Sequence, residues 1–407
     1  MTTIVIGGGI AGLHAAYRIL NSDTTITIKL LEASKRLGGR VHTVKHDGFH
    51  MDAGAGRFAG PEQHPCLWAL IRDLGLEKEV IELPKSGEAY VKDGTEVDGA
   101  HMERIHEALR KAAATEAPPS TMSFEMWARS ILPSGYNDLM YASGYQSPFD
   151  RLSAAEAMTP DKSFLYSTWT YYVFRGGMST LTKALERFLR KSGRCEICLG
   201  AGVTNIERSK GQRFQVKMKN TSITGNAVVL CLTRDALLEV AIPLLSEVQG
   251  LHEAVKATRV SPLDRIYARF PLEHSGEPWF SYTKTTSDGA VRQFIPIDRK
   301  NGIAMACYTE GIYAEQWGDV KSQAELQELL MKGLKRVFPK KHIPDPLWMK
   351  RYHWAVGAHF DAIGGCAVST ALKRGIAKNE IIGWRLMGEA VSRHHKGWIE
   401  GALSSYY

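Results

Sequence analysis

The sequence predicts an α/β protein with a second, mixed α+β domain, and three observations lead to this prediction. A β-branched run, Thr2–Ile6, precedes a glycine cluster, an apolar helical stretch to about Leu20 and a second β run, Thr24–Leu31. This order is that of a βαβ unit. The stretch 81–158 has a different pattern of predicted elements, a hairpin and several helices. A chain of 407 residues is long enough for two or three domains.

Composition bounds the class of protein. Hydrophobic residues make up 44% and charged residues 23% of the chain, which is ordinary for globular proteins and excludes disorder and low complexity. No apolar run approaches the roughly 18 residues of a membrane span, and the N-terminus runs directly into glycines instead of a signal sequence. The 6 cysteines are too few for a disulfide framework. We therefore expect a soluble, cytoplasmic protein.

The formal net charge is +8, which draws a protein weakly towards polyanions. The densest basic run, Leu334–His342, contains one aromatic residue, Phe338. We interpret this run as the basic end of a helix and the following turn, and we do not expect nucleic-acid binding.

We also expect no metal site. Cys195-x-x-Cys198 has no second cysteine pair and lies in a predicted strand, so we interpret it as core packing. His394 and His395 lack a third ligand at suitable spacing, and we interpret them as surface or turn residues rather than as residues that line an entrance.

The remaining predicted elements follow from periodicity and turn signals. They are a helix at His64–Leu74, a hairpin at Ala89–Gly99, a helix at Ser179–Lys191, a β meander of Cys195–Leu199, Val203–Arg208, Arg213–Met218 and Ala227–Leu232, strands at Val260–Phe270, Trp279–Tyr282, Val291–Ile297 and Ile303–Tyr308, a helix at Gln323–Val337, a strand at Gly383–Met387 and a short helix at Trp398–Ser405.

Domain membership is therefore predicted to be discontinuous. A dinucleotide-binding domain is expected from 1–80, 173–256 and 346–407, and a substrate domain from a helical part, 81–172, and a sheet part, 257–345.

The motif Gly7-x-Gly9-x-x-Gly12 lies between the first strand and helix. In such a motif the first glycine makes the turn, the second admits a pyrophosphate and the third lets the helix pack on the strand. Glu32 follows Gly9 by 23 residues, near the spacing expected for a carboxylate that binds ribose hydroxyls. The motif predicts a Rossmann-like dinucleotide site, and the alternative is a glycine turn with a surface glutamate.

The chain then continues in a specific pattern. Glu32-Ala33-Ser34-Lys35-Arg36-Leu37-Gly38-Gly39-Arg40 resembles the E-A-x-x-R-x-G-G-R motif of the flavin amine oxidase family. The resemblance spans the chain, although it is thin between about Ile81 and Thr168, and continues through Asp52-Ala53-Gly54-Ala55-Gly56-Arg57-Phe58, Gly176-Gly177-Met178-x-x-Leu181, Val203-x-x-Ile206, Gly388-Glu389-Ala390 and Gly397-Trp398-Ile399-Glu400-Gly401-Ala402. It implies FAD as the cofactor, in a Rossmann-like FAD-binding domain.

The resemblance also implies roles for single residues. The cofactor-binding set is Gly7, Gly9, Gly12, Glu32 at the adenosine ribose, Gly39 and Arg40 at the pyrophosphate, Gly56, Arg57, Val203 at the adenine, Glu389 near the ribityl and phosphate part, and Trp398 and Ile399. A helix beginning near Trp398 would point free amides at the flavin edge that gains negative charge on reduction.

Trp398 corresponds to an aromatic wall of the family's substrate cage, and the alternative is an apolar anchor at a helix end. Tyr171, Tyr172 and Phe174 are weaker candidates for the same cage. Arg57 falls where the L-amino-acid oxidases place an arginine that grips the substrate carboxylate. A guanidinium matches a carboxylate bidentately, and the alternative is that Arg57 neutralises a flavin phosphate or Asp52.

Two positions depart from the family pattern. Many members carry a lysine that holds a water against the flavin, where this chain has Arg265. Arginine cannot act as a base, which puts oxygen reactivity in doubt. Gly364-Gly365-Cys366 resembles the flavin-linking motif of the monoamine oxidases, but its flanking residues differ. We favour noncovalent FAD and a buried structural Cys366 over a thioether.

These features predict an FAD-dependent oxidase of a primary or secondary amine or an L-amino acid. Hydride would pass to the flavin, the imine would hydrolyse and O2 would be reduced to H2O2. Two alternatives stay open. One is a desaturase or dihydronicotinamide oxidase of the same fold, and the other is a non-enzymatic protein that binds FAD or a polyanion.

Overall fold

The computed structural model divides the chain into two compact units. Unit 1 comprises Met1–Leu83, Trp169–Val260 and Ala358–Tyr407, and unit 2 comprises Pro84–Thr168 and Ser261–Gly357. We expected boundaries after residues 80, 172, 256 and 345. In the structure the last boundary falls after Gly357, inside a single strand, Trp348–Phe360, that begins beyond residue 345. The structure describes residues 1–84, 87–132, 135–143, 151–159, 169–209, 211, 213–318, 320–378 and 381–406, with side chains of the helix that ends at 143 described up to 139.

Strands and helices are numbered in chain order over the described residues. The strands are β1 (Thr2–Ile6), β2 (Thr27–Glu32), β3 (Thr43–His46), β4 (Phe49–Asp52), β5 (Phe58–Ala59), β6 (Val80–Glu82), β7 (Glu88–Lys92), β8 (Thr95–Val97), β9 (Tyr171–Phe174), β10 (Cys195–Leu199), β11 (Val203–Arg208), β12 (Phe214–Met218), β13 (Thr221–Gly225), β14 (Ala227–Leu230), β15 (Arg259–Arg269), β16 (Lys284–Ser287), β17 (Gln293–Asp298), β18 (Ile303–Glu310), β19 (Trp348–Phe360) and β20 (Trp384–Leu386). The α-helices are α1 (Ile10–Ser22), α2 (Pro65–Asp73), α3 (Gly99–Thr115), α4 (Phe124–Ile131), α5 (Tyr136–Ser143), α6 (Ala154–Ala157), α7 (Ser179–Lys191), α8 (Arg234–Glu239), α9 (Leu244–Glu247), α10 (Leu251–Ala257), α11 (Ile312–Glu315), α12 (Gln323–Val337), α13 (Val368–Ala377) and α14 (Ile399–Ser404). Over these same residues, no helix combines the length and apolarity that crossing a bilayer requires.

Unit 1 is built on a five-stranded parallel sheet in the order β10-β2-β1-β14-β20. Successive residues of a strand point to opposite faces. Val5 accordingly packs in the core with α1 and α7, while Ile4 packs in the core on the other face with Trp384. A parallel sheet that is apolar on both faces needs cover on both. The predicted α/β class is confirmed.

Two small sheets of unit 1 bring distant segments together. β9 pairs with β5 and β6, and Phe58 lies opposite Tyr172. β3 and β4 form a hairpin in which the Thr43 hydroxyl donates to Asp52 Oδ1 at 2.6 Å. The same oxygen accepts from the Met178 amide at 2.9 Å, so Asp52 fixes the hairpin to the start of α7.

Unit 2 is built on a seven-stranded sheet in the order β19-β15-β18-β17-β16-β7-β8. The pair β16–β7 is parallel, and the pairs β15–β18, β17–β18, β16–β17 and β7–β8 are antiparallel. The predicted hairpin is confirmed as β7–β8, and its turn residues Asp93 and Gly94 have φ values of 48° and 74°, as a two-residue hairpin turn requires. α12 packs against this sheet through Leu330 and Leu334.

Some predicted elements are wrong or absent. The strand expected at Trp279–Tyr282 does not form. Trp279 and Phe280 lie in the core of unit 2, where Trp279 packs edge-on against Phe270 at a centroid distance of 5.5 Å. These aromatic residues are therefore core residues of an irregular segment and do not mark a strand. Strand β19 and helix α13 were not predicted.

We expect Gly12→Ala to destabilise the protein by about 1–3 kcal/mol through overpacking, because a Cβ on Gly12 would lie 1.9 Å from the Gly7 carbonyl oxygen. Gly99→Ala is the control, since a Cβ there meets nothing within 4 Å and alanine favours the helix by up to about 1 kcal/mol. Urea unfolding measures both. Equal midpoints for Gly12→Ala and the wild type would contradict the close packing of helix on strand.

Candidate functional site

The first glycine turn lets the backbone of unit 1 approach itself closely. Gly7 has a φ of 102°, and a Cβ there would lie 2.3 Å from the Cys231 carbonyl oxygen. Gly9 differs, because the nearest atom to a Cβ at that position is the Gly39 Cα at 3.9 Å. Gly9 is the N-cap of α1, and no side chain caps that helix. The turn therefore offers room and first-turn amides to an anion.

The second glycine turn, Gly38–Gly39, packs against the first. The Gly38 amide donates to the Gly8 carbonyl at 2.8 Å, and Gly9 and Gly38 form an isolated bridge. Glu32, at the end of β2, binds the first turn and the segment that leads to the second. Its carboxylate accepts from the Gly8 amide at 2.7 Å and from the Ser34 amide at 2.8 Å. The structure thus brings the predicted glycines and Glu32 together.

Val203 reaches the same end of the sheet. It begins β11, and the segment before it is bonded to the end of β2, with the Ala201 amide donating to the Glu32 carbonyl at 2.9 Å. The Gly200 amide donates to the Ser34 carbonyl at 2.9 Å. Val203 therefore lies on the Glu32 side of the glycine turns.

A buried carboxylate joins two other predicted segments and the strand β19, which was not predicted. Glu389 is 4% exposed, and its Oε2 accepts from Arg40 Nη2 at 3.0 Å. Its Oε1 accepts from the Gly397 amide at 2.7 Å and the His359 amide at 3.0 Å. His359 Nδ1 lies 2.6 Å from Oε2, and the Arg234 amide donates to His359 Nε2 at 3.2 Å. Because Nε2 of His359 accepts, Nδ1 carries the proton that faces Glu389, and Glu389 thus accepts from four donors.

These donors set the charge state of Glu389. Burial alone would raise the pKa of its carboxyl, but His359 and Arg40 outweigh burial and hold the pKa far below the ordinary value of 4.5. Glu389 is therefore ionised at every ordinary pH, and it fixes both the Arg40 loop and the turn before Trp398.

Three aromatic side chains of unit 1, Trp169, Tyr171 and Trp398, form what we call the aromatic face. The rings of Tyr171 and Trp398 are nearly parallel, with an interplanar angle of 10° and centroids 6.2 Å apart. Trp169 lies 6.2 Å from Trp398. The guanidinium carbon of Arg57 lies 4.0 Å from the Tyr171 ring centroid. A cation is thus stacked on one member of a parallel aromatic pair.

Strand alternation decides which of the three weaker candidates reach this face. Tyr171 lies on it, whereas Tyr172 and Phe174 pack against Phe58 at centroid distances of 6.0 and 5.2 Å. The loop that carries Gly56 and Arg57 is fixed nearby, since the Ala55 amide donates to the Arg40 carbonyl at 2.9 Å.

His64 borders the aromatic face, and the sequence did not single it out. It is fully buried, and its ring lies 5.1 Å from Trp398 and 6.0 Å from Trp169. The Ala59 amide donates to its Nδ1 at 3.0 Å. Burial, with a smaller contribution from His395, lowers the pKa of His64 to about 3. Its only signal in the sequence is a histidine before the proline that opens α2.

Two helix starts are joined beside this histidine. His64 is the N-cap of α2, and Trp398 is the N-cap of α14. Glu400, 1% exposed in α14, accepts from the Cys66 amide at 3.0 Å and the Leu67 amide at 2.8 Å. A carboxylate at a helix N-terminus is stabilising. Glu400 thus fixes the start of α2 against α14, where Ile399 is buried in the core.

Arg265 lies in unit 2. It is 8% exposed on β15, and its guanidinium carbon lies 4.8 Å from the ring centroid of Tyr308. Arg265 pairs with Tyr308 across β15 and β18. Its role towards the flavin stays a prediction.

The expectation that Cys366 is buried is wrong. Cys366 is exposed, and its thiol contacts the adjacent Ala367 carbonyl at 3.6 Å. It lies in an irregular segment before α13, after Gly364 with a φ of 69°, so no core surrounds it. Of the two histidines interpreted as surface or turn residues, His394 is exposed, whereas the half-buried His395 has a φ of 56° and its ring lies 5.5 Å from His64.

A family model and several known proteins match the chain. The model of the family described as flavin containing amine oxidoreductase matches residues 10–125 and 119–405. Human protoporphyrinogen oxidase is 22% identical over 335 residues, which cover 68% of this chain and 69% of that protein. The L-amino-acid oxidase of Bothrops pauloensis is 40% identical over 274 residues, 57% of this chain and 52% of that protein.

A solved structure is similar over nearly the whole chain. It is a candidate protoporphyrinogen oxidase from Exiguobacterium sp. 255-15, with a TM-score of 0.77, 17% identity, and coverage of 99% of this chain and 96% of that chain. At this identity the likeness supports the fold alone.

We expect Glu389→Gln to lower the free energy of unfolding at pH 7 by about 3–5 kcal/mol, because the amide leaves buried donors without a charged acceptor. The folded-state pKa is depressed, so the carboxylate's contribution is present above the ordinary value of 4.5 and is lost as the pH falls below it. The difference in the free energy of unfolding between the wild type and Glu389→Gln should therefore become smaller as the pH falls. Urea unfolding from pH 7 to pH 3 measures this difference.

The matched control is Glu196→Gln, whose side chain is 60% exposed beside Lys29 and should contribute about 1 kcal/mol or less. If Glu389→Gln lowers the free energy of unfolding by the same amount at every pH, the Glu389 carboxylate is not held ionised by its neighbours.

Proposed function

The chain belongs to the flavin containing amine oxidoreductase family, and from that premise we propose that it is an FAD-dependent oxidase of amines that carry a carboxylate, of the L-amino-acid class. The observation that carries this choice is the Arg57 guanidinium stacked on Tyr171, beside the parallel ring of Trp398. A cation at an aromatic face suits a substrate with both an anionic and an apolar part.

FAD is the cofactor of this family, and unit 1 has residues that fit it. We propose that the pyrophosphate binds at Gly7, Gly9 and Gly12. The space beside the Gly9 Cα is open, and no side chain caps the start of α1. Glu32, Gly39, Arg40, Gly56, Val203 and Glu389 complete the proposed cofactor-binding set. When bound, FAD supplies the two-electron acceptor that oxidises the substrate's C–N bond.

The contacts of Glu32 and Glu389 refine their proposed roles. Each oxygen of the Glu32 carboxylate accepts from one backbone amide, and a carboxylate oxygen can accept a second hydrogen bond, which leaves capacity for ribose hydroxyls. Glu389 instead uses its capacity on protein donors. We therefore propose that Glu389 acts on the cofactor indirectly, by holding Arg40 and the Gly397 turn.

Arg57 is proposed to bind the substrate's carboxylate. Stacking on Tyr171 holds the guanidinium in one plane, and a fixed guanidinium can donate two parallel hydrogen bonds to a carboxylate. A protonated amine without a carboxylate would instead be repelled.

The aromatic face is proposed to position the substrate's reacting carbon and to exclude water. Trp398 and Tyr171 present flat apolar surfaces that orient a side chain at low entropic cost. The substrate must react as the neutral amine, whose lone pair stabilises the electron-poor carbon that develops. The overall products are a keto acid, ammonia and H2O2, after hydrolysis of the imine and reduction of O2.

A second candidate is a flavin oxidase of a non-amine, such as a porphyrinogen. It is favoured by the names of two relatives, since human protoporphyrinogen oxidase and the coproporphyrinogen III oxidase of Bacillus subtilis both resemble the chain.

An anaerobic titration distinguishes the candidates. The FAD-loaded protein is mixed with phenylalanine, phenethylamine, leucine, isopentylamine or coproporphyrinogen III, and the absorption of oxidised flavin is followed. We expect the two amino acids to bleach the flavin faster than their decarboxylated counterparts. Bleaching by the porphyrinogen alone would favour the second candidate, and no bleaching by any donor would exclude both.

We expect Arg57→Lys to lower kcat/KM for phenylalanine by about 10- to 100-fold, because a charge-assisted bidentate bond contributes about 1.5–3 kcal/mol. Phenethylamine should change by less than about twofold. Arg72→Lys, an exposed position near the end of α2, is the matched control. Equal losses for both substrates, or loss of FAD, would mean that Arg57 does not bind the substrate carboxylate.

A further inference from the structure

The His64 side chain holds a buried donor that the protein leaves unused. The ring is fully buried, and the Ala59 amide donates to Nδ1 at 3.0 Å. A nitrogen that accepts cannot carry the proton, so the neutral ring carries it on Nε2. Over the described part of the chain, Nε2 has no hydrogen-bond partner. Buried donors are nearly always paired, so this exception calls for an explanation.

The surroundings of Nε2 are aromatic. The His64 ring meets Trp398, Trp169 and His395 edge to face, at centroid distances of 5.1, 6.0 and 5.5 Å. Since Nδ1 accepts from the 59–64 turn, Nε2 is the ring nitrogen that is left for a partner outside that turn. Trp398 and Trp169 are half-buried members of the aromatic face. An acceptor bound at this face would supply the partner that Nε2 lacks in the protein.

We infer that His64 is a specificity-determining residue whose Nε2–H donates to an sp2 oxygen of the substrate, in a carboxylate, amide or ketone, at the aromatic face. The inference deepens the proposed function and rests on it for the placement of the substrate at that face. It adds a second oxygen-binding group to Arg57. Arg57 stacks on Tyr171 and His64 borders Trp398, so the two donors flank the parallel pair.

The two donors differ in charge, which makes their roles separable. Burial keeps the pKa of His64 near 3, so the ring is neutral at physiological pH. A neutral donor serves charged and uncharged oxygens alike, whereas Arg57 favours an anion. The competing explanation is that Nε2–H points at the π cloud of Trp398, in which case it contributes equally whether or not the ligand has an oxygen.

Calorimetric binding of three small ligands to the FAD-loaded protein tests the inference. Benzoate and benzamide share an sp2 oxygen and differ in charge, and aniline has the same ring without oxygen. His64→Asn places an amide oxygen near the position of Nδ1 and has no donor near Nε2. His64→Gln places an amide donor near Nε2, and Arg57→Lys serves as the charge control.

We expect His64→Asn to weaken benzoate and benzamide about tenfold each and to leave aniline within twofold. His64→Gln should restore both oxygen ligands to within about threefold of the wild type, and Arg57→Lys should weaken benzoate far more than benzamide. Equal losses for all three ligands, no loss for any, no recovery with His64→Gln, or a wild type that binds none of them would overturn the inference. Since binding needs no turnover, the result is independent of whether an amine proves to be the substrate.

Discussion

The buried carboxylate of Glu389 is the interaction on which the site of unit 1 depends. One ionised group accepts from the Arg40 side chain and from the amides of His359 and Gly397. A buried charge is stable only when it is paired and fully hydrogen-bonded. The three segments must therefore come together for any one of them to be in place, so the second glycine turn and the turn before Trp398 are positioned as a set.

A second buried carboxylate does the same for the aromatic face. Glu400 binds the first amides of α2, and this sets the N-cap of α2, His64, against the N-cap of α14, Trp398. Two of the three side chains of the face thus lie on regular elements, Trp398 at the start of α14 and Tyr171 on the short strand β9. Such supports hold a site within the tolerance that positioning of a substrate requires.

What could be predicted from the sequence depended on local spacing. The glycine turns, Glu32 and the helix after Trp398 are encoded within a few residues of each other, so their patterns were readable. His64 was not, because its role depends on Ala59, Trp398 and Trp169, which are brought together by three separate segments. The exposure of Cys366 was missed since no pattern reports whether a core lies opposite an irregular segment. The false strand at Trp279–Tyr282 came from aromatic residues that are buried without pairing.

The order of strands in the parallel sheet has a consequence for synthesis. β14 ends at Leu230, and its partner on one side, β20, begins at Trp384, so the ribosome needs roughly 10–30 s to deliver that partner at ordinary elongation rates. During that interval one side of β14 is an unpaired strand edge, the kind of surface on which chains associate wrongly. Glu389 and Glu400 arrive later still. The contacts of Glu389 with Arg40 and of Glu400 with the start of α2 therefore form only with the last part of unit 1 to be translated, and protection of the nascent sheet by a chaperone would raise the yield of folded protein.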